Sequence, residues 1–214
     1  MNKKESPEKK AKKRQYILSA AREMFKEEGI DAVSMKEIAQ KCLYGVATLY
    51  RWFSAKKYIV VGVGVQVWEE KKEAFEAIAS ANRKQGLDGY HSFVNLMNYY
   101  ESIFQNDPSF FIFLDMFDNY VLKEKLSEQE LSPYNDVLMQ IQAIFLDCAK
   151  KGIEDGSVRK DIDFTMTYYS FAKALIGLAQ KLILENDIVA SDKAVKPNSE
   201  IHTLIQVVVN FIKA

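Results

Sequence analysis

The sequence predicts an all-α fold of about nine helices, on three observations. Apolar residues recur at three- and four-residue spacing in segment after segment, the mark of a helix with one buried face. Start signals precede several of these segments (Ser34 with Glu37, Asp107-Pro108, Ser132-Pro133), and Gly29 and Gly152 follow two of them. Only YIVVGVGVQV, residues 58–67, has the β-branched content of a strand, and propensity alone leaves helix and strand both open there. With 214 residues, 48% of them apolar, the chain can bury a sizeable core in one or two domains.

Residues 1–10 are polar and are expected to be a disordered basic tail. The first helix is expected over 11–28, with Ile17, Ala21, Met24 and Phe25 on one face and Gly29 as its stop. Two short helices joined by a tight turn follow. Ser34 and Glu37 form a capping box for the first, whose apolar face is Met35, Ile38, Ala39 and Cys42. Leu43 and Tyr44 make the turn, and Gly45 caps the second helix less well than Ser or Asp would. There Leu49, Trp52 and Phe53 can pack inward, which leaves Val46, Ala47, Thr48, Tyr50 and Arg51 outward. Small residues beside a hydroxyl, a phenol and a guanidinium suit a DNA major groove: the helix can approach base edges, Arg can fork onto guanine, and Thr and Tyr can donate to phosphates. A compact helical hairpin with an ordinary solvated face is the alternative for this segment alone.

The run IAQKCLYGVATLYRWFSAKK (38–57) resembles the DNA-binding signature of the TetR family of transcriptional repressors, and ILSAAREMFKEEGIDAVSM (17–35) is similar to that family's first helix and its entry into the second. The likeness runs continuously over about residues 14–60, with Thr48-Leu49-Tyr50, Phe53 and Lys56 in register. Where the family usually has Ala-Gly-Val-Ser, this chain has Cys42-Leu43-Tyr44-Gly45, so a turn glycine is lost and the N-cap hydroxyl replaced. The resemblance implies a DNA-binding helix-turn-helix domain over 1–54 and a ligand-binding and dimerisation domain over 55–214. It also implies a helical 58–67, an effector pocket among helices four to eight, and pairing of the last two helices into a four-helix bundle.

A fourth helix is expected to begin near Ser54 or Ala55 and run to about 81, with Lys56 and Lys57 in its first turn. Basic residues there oppose the helix dipole unless a phosphate is bound. After a loop at 82–89, helix five covers about 90–105 and buries Phe93, Leu96, Met97, Tyr100 and Phe104. Helix six starts at Asp107-Pro108, with Phe110, Phe113, Leu114, Phe117 and Val121 on one face. Residues 123–131 are expected to be irregular, and helix seven to run from Ser132-Pro133 to Gly152. Helix eight, about 163–185, carries two adjacent apolar seams, one through Phe164, Tyr168, Phe171, Leu175, Leu178 and Leu182, the other through Tyr169, Ala172, Ile176, Ala179 and Ile183. Helix nine, about 199–212, leaves only His202, Gln206, Asn210 and Lys213 polar. Two seams where one suffices point to a second burial partner, a symmetric homodimer contact through Leu175, Leu178, Leu182, Ile201, Leu204, Ile205 and Val208.

Charge is distributed unevenly. Lys and Arg total 29 and so do Asp and Glu, yet residues 1–60 hold 14 basic against 7 acidic and the remainder 15 against 22. A basic front on an acidic body fits one end meeting a polyanion. Cys42 and Cys148 sit on apolar helix faces and read as buried thiols in a reducing compartment. No signal peptide is visible, and the longest mainly apolar stretch, 164–184, is interrupted by Lys173, Gln180 and Lys181, so a cytoplasmic protein without a membrane span is expected.

Motifs for catalysis are lacking. After Gly62-Val63-Gly64 the third glycine of a dinucleotide loop would fall at Val67, and Ser54-Ala55-Lys56-Lys57 has no Lys-Thr-Gly partner. His91 and His202 are far apart and neither pairs with cysteine at metal spacing. Neither an enzyme nor a metal or other cofactor is expected. The expected DNA contacts are Ser34, Lys36, Gly45, Val46, Ala47, Thr48, Tyr50, Arg51, Trp52 and Lys56. Among them Lys36, Val46, Ala47 and Arg51 would touch base edges, while Thr48, Tyr50, Trp52 and Lys56 would hold phosphates. A small apolar or aromatic effector would lie among Trp68, Tyr100, Phe104, Phe113, Phe117, Tyr168 and Phe171, with Tyr99, Asp115 and Asp118 as candidate polar groups. The expected partners are therefore a double-stranded DNA operator, that effector and a second copy of the chain. A purely architectural DNA-binding protein without a ligand switch is the alternative.

Overall fold

The computed structural model describes residues 6–184 and 194–214. Within them the chain forms nine α-helices and no strand: α1 (Pro7–Glu28), α2 (Met35–Lys41), α3 (Val46–Trp52), α4 (Lys56–Lys84), α5 (Gly89–Asn106), α6 (Pro108–Glu124), α7 (Glu128–Asp155), α8 (Phe164–Leu184) and α9 (Pro197–Ile212). Lys3 and Lys4 of the expected tail and Glu185 of the expected eighth helix lie outside the described residues. The chain divides into two compact units, one of Met1–Val67 with Phe113–Asn135, the other of Trp68–Ile112 with Asp136–Ala214. α4 runs unbroken from Lys56 to Lys84 and so contributes residues to both units.

In the first unit α1 packs on α2 and α2 on α3. α1 begins at Pro7, so residues expected to be disordered up to 10 are helical. Ser6 caps the end by accepting the Lys9 N–H, and Pro7 at N1 presets the backbone. At its other end Gly29 adopts φ 87° while its N–H reaches the Phe25 carbonyl, the stop that the sequence signalled. The ambiguous stretch 58–67 is helical, as the resemblance implied. Ile59, Val60, Val61, Val63 and Val67 are buried, so packing outweighs β-propensity. Its glycines serve close approach: a Cβ on Gly62 would meet Leu18 Cδ2 at 2.7 Å, and one on Gly64 would meet the Phe117 ring at 2.9 Å and the Tyr134 ring at 3.0 Å.

The start of α7 corrects the sequence reading. Its cap is Ser127 with Glu130: Ser127 N donates to Glu130 Oε2 at 2.9 Å, and Glu130 N donates back to Ser127 Oγ at 3.4 Å. Pro133 therefore lies inside the helix rather than at its first turn, and lacks the N–H that would reach back toward residue 129.

In the second unit α9 packs on α5 and α8. Its centre is a set of aromatic rings in mutual contact, Phe75, Phe93, Tyr100, Phe145, Tyr168 and Phe171, with centroids between 5.2 and 6.0 Å apart. Among the described residues no helix is long and apolar enough to cross a membrane. The two cysteines are free and buried.

Candidate nucleic-acid interface

The helix-turn-helix is built from its caps outward. At the start of α2, Ser34 N donates to Glu37 Oε2 at 2.7 Å and Glu37 N donates to Ser34 Oγ at 3.3 Å. These bonds from Ser34 hold the Glu37 carboxyl below its ordinary range. The turn after α2 closes without a glycine. Tyr44 N donates to the Ala39 carbonyl at 2.8 Å and Leu43 N to the Gln40 carbonyl at 3.0 Å, the paired bonds of a Schellman motif. Leu43 takes the left-handed position itself, at φ 58°. A leucine in the left-handed region thus stands where the resemblance has a glycine.

α3 starts at Gly45, which offers no side-chain cap, and its inner face is Leu49 with Phe53 just beyond its end, both fully buried. Val46, Ala47, Tyr50 and Arg51 are exposed, as is Lys36 on α2, and positions 46 and 50, like 47 and 51, lie one helical turn apart. Ser34 and Gly45 are exposed too, whereas Thr48, Trp52 and Lys56 are half-buried. The structure therefore gathers the expected base-reading residues of α3 on one solvent face and sets three of the expected phosphate contacts lower. The Thr48 hydroxyl accepts a hydrogen bond from Arg51 Nη2 at 3.0 Å. Lys56 Nζ donates to the Asp31 carbonyl at 3.3 Å and lies 5.7 Å from the Tyr120 ring centroid. Burial pulls its ammonium pKa down, against the opposing pull of Asp31.

Sequence reasoning gave Arg14 no role of its own. Its guanidinium sits 4.1 Å from the centroid of Phe53, and its Nη1 donates to the Trp52 carbonyl at 3.4 Å, so it ties α1 to the C-terminal end of α3. The signal was its position three residues before Ile17, the first buried residue of α1, which puts both on one helix face.

The residues expected around an effector are all buried, five of them in the second unit and two in the first. Tyr100, Tyr168 and Phe171 belong to the closed aromatic centre of the second unit. There desolvation pushes both phenol pKa values up. Trp68 packs edge-on against Phe110 at 4.9 Å, and Phe104 against Phe111 at 6.1 Å. Phe113 and Phe117 lie in the first unit, where Phe117 stacks on Tyr134 at 4.4 Å. Tyr99 is half-buried against Phe75, while Asp115, also in the first unit, accepts from Asn119 and Asp118 is exposed. A cleft of about 340 Å³ in the second unit is lined instead by Glu76, Arg83, Ser92, Asp147, Cys148 and Lys151 among others.

Of the expected homodimer residues, Leu175, Ile201, Ile205 and Val208 are buried within this chain, where α9 packs on α5 and α8, and Leu178, Leu182 and Leu204 are half-buried. The large apolar side chains that α8 and α9 leave exposed are Met166, Tyr169, Leu184, Val207 and Phe211.

A family model described as bacterial regulatory proteins of the tetR family matches residues 17–62, from the middle of α1 to the first turns of α4. The helix-turn-helix is a TetR-family domain. Over 84 residues the chain is 34% identical to the HTH-type transcriptional regulator UidR of Escherichia coli K12, a match covering 39% of this chain and 38% of UidR. The aligned part thus spans well under half of that relative. Beyond the TetR-family domain the likeness is one of fold. A putative TetR-family regulator from Mesorhizobium loti superposes with a TM-score of 0.72 at 14% identity, over 98% of this chain and 100% of that one. RolR, in complex with resorcinol, superposes at 0.61 and 17% identity, over 97% and 90%. The whole chain therefore has the architecture of the TetR-family regulators.

Proposed function

We propose that this chain is a transcriptional repressor that binds a pseudo-palindromic DNA operator as a homodimer and leaves it when a small apolar or aromatic effector binds. The observation that carries the reading is the outer face of α3. Val46, Ala47, Tyr50 and Arg51 are exposed on a TetR-family recognition helix whose inner face is locked by Leu49, Phe53 and the Arg14 guanidinium. Arg51 and Lys36 reach base edges, Val46 and Ala47 let the helix come close, and Tyr50 and Lys56 hold phosphates. Lys56 does so by exchanging the Asp31 carbonyl for a phosphate oxygen. The exposed lysines at 9, 10 and 12 add a salt-sensitive, sequence-independent share of affinity. Such a regulator works where the DNA is, in the cytoplasm.

For the effector, the aromatic centre of the second unit supports a pocket opened by displacing rings around the Tyr100–Tyr168 pair, whose hydroxyls supply the polar contact. RolR binds a small phenol within the same fold. The effector acts by population shift: it must bind more tightly to a state whose two recognition helices are wrongly spaced for successive major grooves.

Selection of duplexes from a random library by the full chain, followed by affinity measurement, tests the reading. A palindromic consensus with two half-sites about one helical turn apart is expected. Binding with no preference between sequences would replace the repressor by an architectural DNA-binding protein.

A further inference from the structure

We infer that Thr48 is a positioning residue for Arg51: its hydroxyl sets the guanidinium that reads the base edge, and it is not itself a phosphate contact. The inference rests on the DNA-binding reading above. Thr48 sits lower on α3 than its neighbours, half-buried while Val46, Ala47, Tyr50 and Arg51 are exposed. Its Oγ accepts from Arg51 Nη2 at 3.0 Å, a bond between positions three apart on one helix face. Thr is β-branched and in a helix is confined to two χ1 rotamers, so the acceptor has few positions open to it. Arg51 by contrast carries a rigid planar fork on a long flexible stem, and freezing such a stem on binding lowers affinity by roughly two- to tenfold. An acceptor already holding the fork before DNA arrives removes part of that loss and favours one orientation of the fork over others.

The two roles differ in what substitution changes. A hydroxyl that donates to a phosphate contributes equally on every sequence. A hydroxyl that orients Arg51 contributes only where Arg51 discriminates between bases. Thr48→Val keeps the branched shape and deletes the acceptor, Thr48→Ser keeps the acceptor on a less restricted side chain, and Thr48→Ala serves as a second deletion should the valine pack poorly.

The experiment uses the full chain and the duplex it selects from a random library, with every single base-pair substitution of one half-site. Affinities are measured for wild type, T48V, T48A, T48S, R51A and T48V/R51A, with circular dichroism to confirm folding. R51A is expected to lose preference at one base-pair position. T48V and T48A should lose preference at that same position by about three- to tenfold, T48S should retain most of it, and T48V should add nothing on an R51A background. If T48V instead weakens all duplexes alike and its effect adds fully to R51A, Thr48 is a phosphate contact and the inference is overturned. If R51A leaves every preference unchanged, base reading by Arg51 fails first, and the positioning role falls with it.

Discussion

Leu43 shows how much a single residue decides at this scale. A leucine at φ 58° is in the left-handed region, which costs an L-residue roughly 1–2 kcal/mol relative to its preferred conformations. Its side chain is 89% exposed, so packing returns little of that. The turn persists because the two bonds from Tyr44 and Leu43 close the end of α2 regardless of the residue's identity. Leu43→Gly should therefore raise stability by about 0.5–1 kcal/mol, after allowing for glycine's larger unfolded-state entropy. Thermal unfolding reads it, and a fall in Tm would mean that the leucine side chain stabilises the turn by a contact of its own. Lys56 poses the opposite question, since its ammonium is already engaged by the Asp31 carbonyl. Lys56→Ala should weaken binding to all duplexes by a similar factor and flatten the dependence of log affinity on log salt by about one. An unchanged slope would leave Lys56 with a structural role only. Sequence legibility was good where the local chemistry is self-contained, as in the Ser34–Glu37 box and the Gly29 stop. It was poor for Arg14, whose partner Phe53 lies 39 positions away.

At the scale of elements, what could be read from sequence was the existence of each helix, and what could not was its partner. Residues 58–67 have the composition of a strand, and only the buried neighbours Leu18, Phe117 and Tyr134 explain why two glycines and a run of valines form a helix. α7 starts earlier than Ser132-Pro133 signals, because the Ser127–Glu130 box opens it within the stretch expected to be irregular. That box does more than cap. Glu130 also accepts from Lys57 of α4 within the first unit, and this bond, with those from Ser127, holds its carboxyl at about 2 against an ordinary 4.5. Because the folded value is depressed, the stabilisation is fully present above pH 4.5 and is lost as pH falls from there through about 2. Glu130→Gln should thus lower Tm at pH 6, with the gap to wild type closing as the pH is taken from 4.5 toward 2. A gap that stays constant with pH would assign the loss to the cap geometry rather than to the charge.

For the whole molecule, the decisive distinction is between apolar surface that the chain buries itself and apolar surface it leaves for something else. Periodicity showed that α8 and α9 carry more apolar residues than one seam requires, but it could not tell which seam faces which neighbour. α9 is two-sided: Ile201, Ile205, Val209 and Ile212 lie inside this chain, whereas Val207 is 59% and Phe211 47% exposed. Met166 at 64% and Tyr169 at 46% do the same for α8. A soluble monomer gains nothing from a large aromatic and a valine in water on adjacent turns of one helix, and a homodimer contact is what the proposed operator symmetry demands. The two faces predict different failures. Val207→Asp with Phe211→Asp should leave each chain folded by circular dichroism but monomeric by sedimentation. Operator affinity should fall steeply, because a single half-site keeps only its own share of the binding energy. Ile205→Asp should instead unfold the second unit, since a carboxylate there has no water and no partner. Should the Val207/Phe211 double variant sediment as a dimer and hold its operator, the pairing surface lies elsewhere. The spacing of the two recognition helices would then have to be set by another part of the chain.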